Sequence, residues 1–94
     1  PGYGVYAVQA KVQNKTYLGM LNIGSRPTVN RNADHRSIEV HLFDFDGELY
    51  DRLLDVRFEK FLRPEMKFGS VEALRIQIEK DAQAARRHLI EDPA

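Results

Sequence analysis

Glu39 and His41 stand two residues apart in the largely apolar run Ile38-Glu39-Val40-His41-Leu42-Phe43. In an extended segment that spacing puts both side chains on one face, where a carboxylate and an imidazole could accept or relay a proton. A charged group in such a strand must be solvated, paired or used in chemistry. Pairing is the commoner fate of a strand Glu, and a structural hydrogen bond that of a strand His. His35 and His88 fall in loop-like and helix-end contexts and read as solvated. A second chemical segment is Arg63-Pro64-Glu65-Met66-Lys67-Phe68, in which a fork-shaped cation, an apolar side chain and an aromatic ring share one short loop. Such a loop suits a flat heteroaromatic ligand, held by a ring face and guanidinium donors. The structural alternative is Arg63 paired with Glu65, with Phe68 capping one end of the core. There is no Gly-rich phosphate cradle between a strand and a helix, and no spaced His/Asp/Glu set for a metal. Residue chemistry alone leaves function open.

The elements that must position these groups follow from periodicity. From Tyr3 to Val12, the residues Tyr6, Val8, Ala10 and Val12 alternate with Val5, Ala7, Gln9 and Lys11, the period of a strand. A polar break at Gln13 to Lys15, centred on Asn14, leads to a second extended run from Thr16 to Ile23, so the pair reads as a hairpin. Gly24 to Arg36 has loop composition and is long for a small domain. Ile38 to Phe45 reads as a strand with Ile38, Val40 and Leu42 on one face and Glu39, His41, Phe43 and Phe45 on the other. Asp46-Gly47 predicts a tight hairpin turn and Leu53 to Leu62 the returning strand, ending before Pro64. Ser70 is the expected N-cap of a helix with Glu72 in its first turn, and Leu74, Ile78, Ala82, Ala85 and Leu89 form its apolar stripe. Strands followed by one amphipathic helix predict a mainly β, α+β domain, closed as a small barrel with the helix packed across it.

Composition bounds the rest. Ninety-four residues, 43% hydrophobic and 30% charged, fit one domain over residues 1–94. Fourteen basic and fourteen acidic side chains give zero formal net charge, which argues against nucleic acid as a partner. The absence of cysteine points to a cytoplasmic setting, and no apolar run is long enough to span a bilayer. A chain that opens on Pro1 is expected to be cut from something longer.

Six groups of residues follow one another in order along the chain: Gly4-Val5-Tyr6-Ala7-Val8, Asn22-Ile23-Gly24 with Arg26-Pro27-Thr28, Glu39 through Phe45, Leu49-Tyr50, Phe61 through Glu65 with Lys67-Phe68, and Gln77-Ile78 with Asp81. Together they resemble the riboflavin kinase family, known in bacteria as the C-terminal module of bifunctional FAD synthetases. The resemblance implies a six-stranded antiparallel barrel with a C-terminal helix, here expected to lack its first strand. It implies ATP-dependent phosphorylation of the riboflavin ribityl 5′-hydroxyl to FMN, with ATP as co-substrate, Mg²⁺ as cofactor and a linked FMN adenylyltransferase domain as partner. Glu39 matches the family's catalytic carboxylate. Leu42, Asp44 and Tyr50 match positions around the nucleotide, and Arg63, Met66 and Phe68 match positions lining the flavin. Asp51 stands where relatives often have Gly. The family's Pro-Thr-Ala-Asn motif, which holds Mg²⁺ and phosphates ahead of the Gly-Val-Tyr strand, has no counterpart in this chain, and the resemblance gives Pro27-Thr28-Val29-Asn30 a different place. A flavin-binding or structural barrel without turnover is the rival class.

Overall fold

The computed structural model describes residues 2–27, 34–49 and 54–91. Four strands, β1 (Gly4–Val12), β2 (Lys15–Pro27), β3 (Asp34–Leu42) and β4 (Asp55–Arg63), precede one helix, α1 (Val71–Glu91). The strands form one antiparallel sheet in the order β3-β2-β1-β4. The β1–β2 hairpin turns at Gln13 with its φ at 58°, a conformation available in short polar turns.

Alternation along β1 feeds two cores. Val5 and Ala7 pack with Met20, Phe43 and Ala85, with Ala82 alongside, so this face of the sheet receives α1. Val8 lies on the opposite face with Leu21 and Ile23, and Ala10, Val12 and Leu42 extend that layer. Phe45, Leu49 and Leu54, from the segments between β3 and β4, cover it. Both faces of β1 are therefore out of water, which is why its apolar residues are not confined to one parity.

The helix begins as expected. Ser70 Oγ accepts the Ala73 N–H at 3.0 Å, satisfying one of the orphan donors of the first turn. The middle of the expected stripe is buried, with Ala85 closed off and Ala82 half-buried. Its first half is not: Leu74 and Ile78 remain 39% and 42% exposed, an observation that bears on the site below. No helix among the described residues is long and apolar enough to cross a membrane.

Three expectations change. The described sheet is open, not a closed barrel, because β3 pairs with β2 and β4 with β1, leaving β3 and β4 as its two edges. Asp46-Gly47 accordingly does not join a paired hairpin: β3 ends at Leu42, and the chain turns through Asp44 at φ 60° before reaching Gly47. The Gly24 to Arg36 loop is shorter than its composition suggests. Gly24, Ser25, Arg26 and Pro27 pair with Ser37, Arg36, His35 and Asp34, since a backbone ladder needs no apolar side chains.

Finally, β4 carries two irregularities against β1, between Val5 and Tyr6 and between Ala7 and Val8. The extra residues bring Phe61 opposite Tyr6 while Phe58 stays opposite Val8, so strict alternation fails and both rings pack edge-on to Tyr6 at 5.2 and 5.1 Å. Close approach of strands sets one further requirement: a Cβ on Gly19 would overlap the His41 carbonyl oxygen and press on Leu42. Gly19→Ala is expected to lower stability by about 1–3 kcal/mol through this overlap. Gly69→Ala, where a Cβ would meet nothing within 4 Å, is expected to change it little. Paired thermal melts of the two variants check the contrast.

Candidate functional site

Residues directly opposed in antiparallel strands share a face. Glu39 opposes Asn22, Asn22 opposes Val5 and Val5 opposes Arg63. One row thus crosses all four strands in the order Arg63, Val5, Asn22, Glu39, on the face that carries α1. The neighbouring row holds Ala7, Met20 and His41. Over these rows opens a cavity of about 530 Å³, walled by Met66 and Phe68 from the loop after β4 and by Leu74 and Ile78 of α1. Its size suits a small-molecule ligand. The half-exposed start of the helix stripe is its apolar wall.

The β4 end of the row is rigidly built. Arg63 Nε donates to Asp81 Oδ1 at 2.8 Å and Nη2 to Oδ2 at 2.7 Å, a fork-to-fork pair, while Nη1 donates to the Pro64 carbonyl at 3.0 Å. Gln77 Nε2, one helical turn before Asp81, donates to its Oδ1 at 3.0 Å. With its edge so occupied, the guanidinium turns towards Phe68, whose ring centre lies 5.9 Å from Cζ. Glu65 does not pair with Arg63. It reaches β2, where its Oε1 accepts the Ser25 N–H at 2.7 Å. The β1 ladder begins at Gly4 opposite Ile23, so the Glu65 carboxylate serves Ser25 where that strand offers no acceptor. A Cβ on Gly24 would lie 3.0 Å from this carboxylate, so Gly24 leaves room for the crossing.

The β3 end is the reverse. Glu39 is exposed, and neither it nor Asn22 makes a side-chain hydrogen bond or ion pair among the described residues. His41 is also exposed, its ring 5.7 Å from that of Phe43. One flank of the cavity is therefore fixed by charge-assisted hydrogen bonds, and the other presents an uncommitted carboxylate and amide.

Residues 1–89 match the family model described as riboflavin kinase. The chain belongs to the riboflavin kinase family. It is 44% identical over 89 residues to the bifunctional riboflavin kinase/FMN adenylyltransferase of Bacillus subtilis, covering 94% of this chain and 28% of that protein. To the protein of the same name from Pseudomonas fluorescens it is 46% identical over 86 residues, covering 92% of this chain and 27% of the relative. The chain thus spans little more than a quarter of the length of these curated relatives. Among solved structures, one described as a macrolide-efflux protein from Streptococcus pneumoniae superposes with a TM-score of 0.81 at 30% identity, over 92% of this chain and 28% of that one.

In this member of the riboflavin kinase family, four of the seven residues singled out by sequence, Glu39, Arg63, Met66 and Phe68, line this cavity. Leu42 and Asp44 do not. The Leu42 side chain is buried on the opposite face with Ala10 and Val12. Asp44 is exposed at the end of β3, its Oδ2 lying 3.7 Å from Arg86 Nη1, and the same guanidinium stacks 4.2 Å from the Phe43 ring centre. Tyr50 and Asp51 lie outside the described residues, as do Thr28 and Asn30. Sequence reasoning gave Glu65 only the place of a partner for Arg63, which Asp81 takes instead, and gave no role to Asn22 or Asp81. Asp81 carries a visible signal, since a carboxylate three residues after Ile78 and four before Ala85 sits on the buried side of an amphipathic helix and must find a cation.

With side-chain exposures of 16% and 6%, Arg63 and Asp81 are a largely buried pair. Asp81→Asn is expected to lower stability by about 3 kcal/mol, because it leaves the guanidinium charge without its match. Combining Arg63→Met with Asp81→Leu is expected to recover most of that loss, as read by denaturant unfolding. Equal destabilisation by the single and double variants would contradict the account.

Proposed function

We propose that this chain is the kinase module of a bifunctional FAD synthetase, transferring the γ-phosphoryl group of ATP to the ribityl 5′-hydroxyl of riboflavin, with Glu39 as general base. The observation that carries the reading is Glu39 itself: an exposed carboxylate uncommitted among the described residues, in one row with Arg63 on the far side of the same cavity. Phosphoryl transfer asks little covalent work of a protein, since alignment of the acceptor and management of phosphate charge dominate the barrier. A Glu39 oxygen takes the proton of the 5′-hydroxyl as the 5′-oxygen bonds to the γ-phosphorus. The bond from γ-phosphorus to the bridging oxygen breaks, and ADP leaves.

Arg63, Met66 and Phe68 hold the isoalloxazine in this reading. Because Nε and Nη2 of Arg63 are engaged with Asp81, the guanidinium offers the ring chiefly its flat face, beside the ring face of Phe68. Leu42, Asp44 and Tyr50 are assigned to the nucleotide. Leu42, its side chain being in the core, contributes backbone atoms, and Asp44 stands at the outer end of β3. Magnesium accompanies ATP in such reactions. The described residues hold no cluster of three His, Cys, Asp or Glu groups, so they do not by themselves make its site. Residues 1–94 act as one unit, and the bifunctional names of the relatives, with this chain spanning 28% and 27% of their length, support a linked FMN adenylyltransferase domain. A cytoplasmic setting without a nucleic-acid or membrane partner fits the zero net charge and cysteine-free composition.

Two variants test the assignments. Glu39→Gln keeps shape while removing basicity, and is expected to lower kcat by roughly 10² to 10⁴ with melting temperature and riboflavin affinity nearly unchanged. A destabilised Glu39→Gln protein with full turnover would end the catalytic role. Phe68→Ala is expected to weaken riboflavin binding by about 0.5–1.5 kcal/mol, measured by quenching of flavin fluorescence, with ATP affinity changed less.

A further inference from the structure

Between the ring end and the reacting end of the site lies a stretch of surface with a definite chemistry. Strands in a sheet are spaced about 4.8 Å apart, so the row from Arg63 on β4 to Glu39 on β3 runs roughly 14 Å across three intervals. The two residues between are Val5, on β1, and Asn22, on β2. Val5 is buried in the core beneath α1 and offers only methyl groups. Asn22 is half-buried, lines the cavity, and has a carboxamide uncommitted among the described residues. An amide that is partly out of water and beside an exposed carboxylate has both a donor pair and an acceptor free. Leaving these unmatched in a ligand-filled cavity costs free energy.

We infer that Asn22 reads the polyol of the substrate, hydrogen-bonding secondary hydroxyls of the ribityl chain and so selecting a flavin with an N10 sugar-alcohol over one with an N10 alkyl group. This inference rests on the flavin reading of Arg63, Met66 and Phe68 given above. If the ring lies against Phe68 and the terminal hydroxyl reaches Glu39, the carbon chain joining them passes over β1 and β2. Along the row, Asn22 is the residue there with polar side-chain atoms. A carboxamide can donate to one hydroxyl and accept from its neighbour, the complement of a vicinal diol. Its position directly opposite Glu39 also matters. Hydroxyls anchored on Asn22 limit the rotations left to the last carbon, and so aim the 5′-oxygen at the carboxylate. Asn22 thereby contributes specificity by direct contact with the substrate, and Glu39 the proton transfer.

The test compares riboflavin with lumiflavin, which has the same ring but a methyl group in place of the ribityl chain, on the intact protein by fluorescence quenching. Asn22→Leu, of similar size, is expected to weaken riboflavin about 5- to 30-fold, the loss of one or two neutral hydrogen bonds, while lumiflavin affinity stays at the wild-type value. Asn22→Ser, which restores a hydroxyl at the same place, is expected to recover part of the riboflavin affinity. Unchanged lumiflavin binding also reports that the variant is folded. Riboflavin affinity unaffected by Asn22→Leu would overturn the inference, and so would equal weakening of both ligands, because a general defect of the site has no polyol component. Failure of the underlying reading looks different. A wild-type protein that binds neither flavin removes the flavin site and this inference together.

Discussion

A guanidinium and a carboxylate that have both lost most of their water hold together only where their geometry is matched, and Arg63 and Asp81 meet edge to edge through two hydrogen bonds of 2.8 and 2.7 Å. The pair joins the last residue of β4 to the middle of α1, eighteen residues on. It sets how the helix lies on the sheet, and therefore where Leu74 and Ile78 stand. It also sets the direction in which the chain leaves β4, and therefore where Met66 and Phe68 stand. Glu65 fastens the same loop a second time, at Ser25 of β2. Two carboxylates used as structural ties thus free a third, Glu39, from any such duty among the described residues.

The division follows from strand pairing. Because opposed residues in an antiparallel sheet share a face, a single row delivers a fixed cation at one edge and an uncommitted carboxylate at the other. The spacing between them is a property of the backbone and not of any flexible side chain. Sites built on strands in this way hold their reacting groups to the precision of the ladder, whereas the apolar walls come from a loop and a helix end that adjust more readily.

Much of this was legible beforehand, for identifiable reasons. The alternation of β1, the polar break before β2, the Ser70 cap and the apolar stripe of α1 are local patterns, and each appears within a residue or two of its expected place. Glu39 and His41 on one face, and the grouping of Arg63, Met66 and Phe68, needed only strand parity and short range. What escaped notice was non-local. No property of Asp46-Gly47 says that β4 will pair with β1 and leave β3 at an edge. The irregularities of β4 shift Phe61 to the face of Tyr6 without a mark in its alternation. Arg63 has an acceptor two residues away in Glu65, yet takes Asp81, because the helix can present a carboxylate square to the fork. Asn22 acquires its significance only from what stands opposite it.

The first half of α1 keeps its apolar side chains in the mouth of the cavity, with Leu74 39% and Ile78 42% exposed. Among the described residues, these turns rest on little besides their own backbone, the cap and exposed side-chain pairs. On the proposed reading, a ring entering the cavity would cover the same side chains, so the ligand would act as a missing piece of the hydrophobic interior. Occupancy and cohesion of the helix are then one equilibrium seen from two sides, in which ligand concentration adds stability logarithmically once above the dissociation constant. Slowed amide exchange in the first turns of the helix would accompany filling of the site, so that this segment would gauge how much ligand the protein holds.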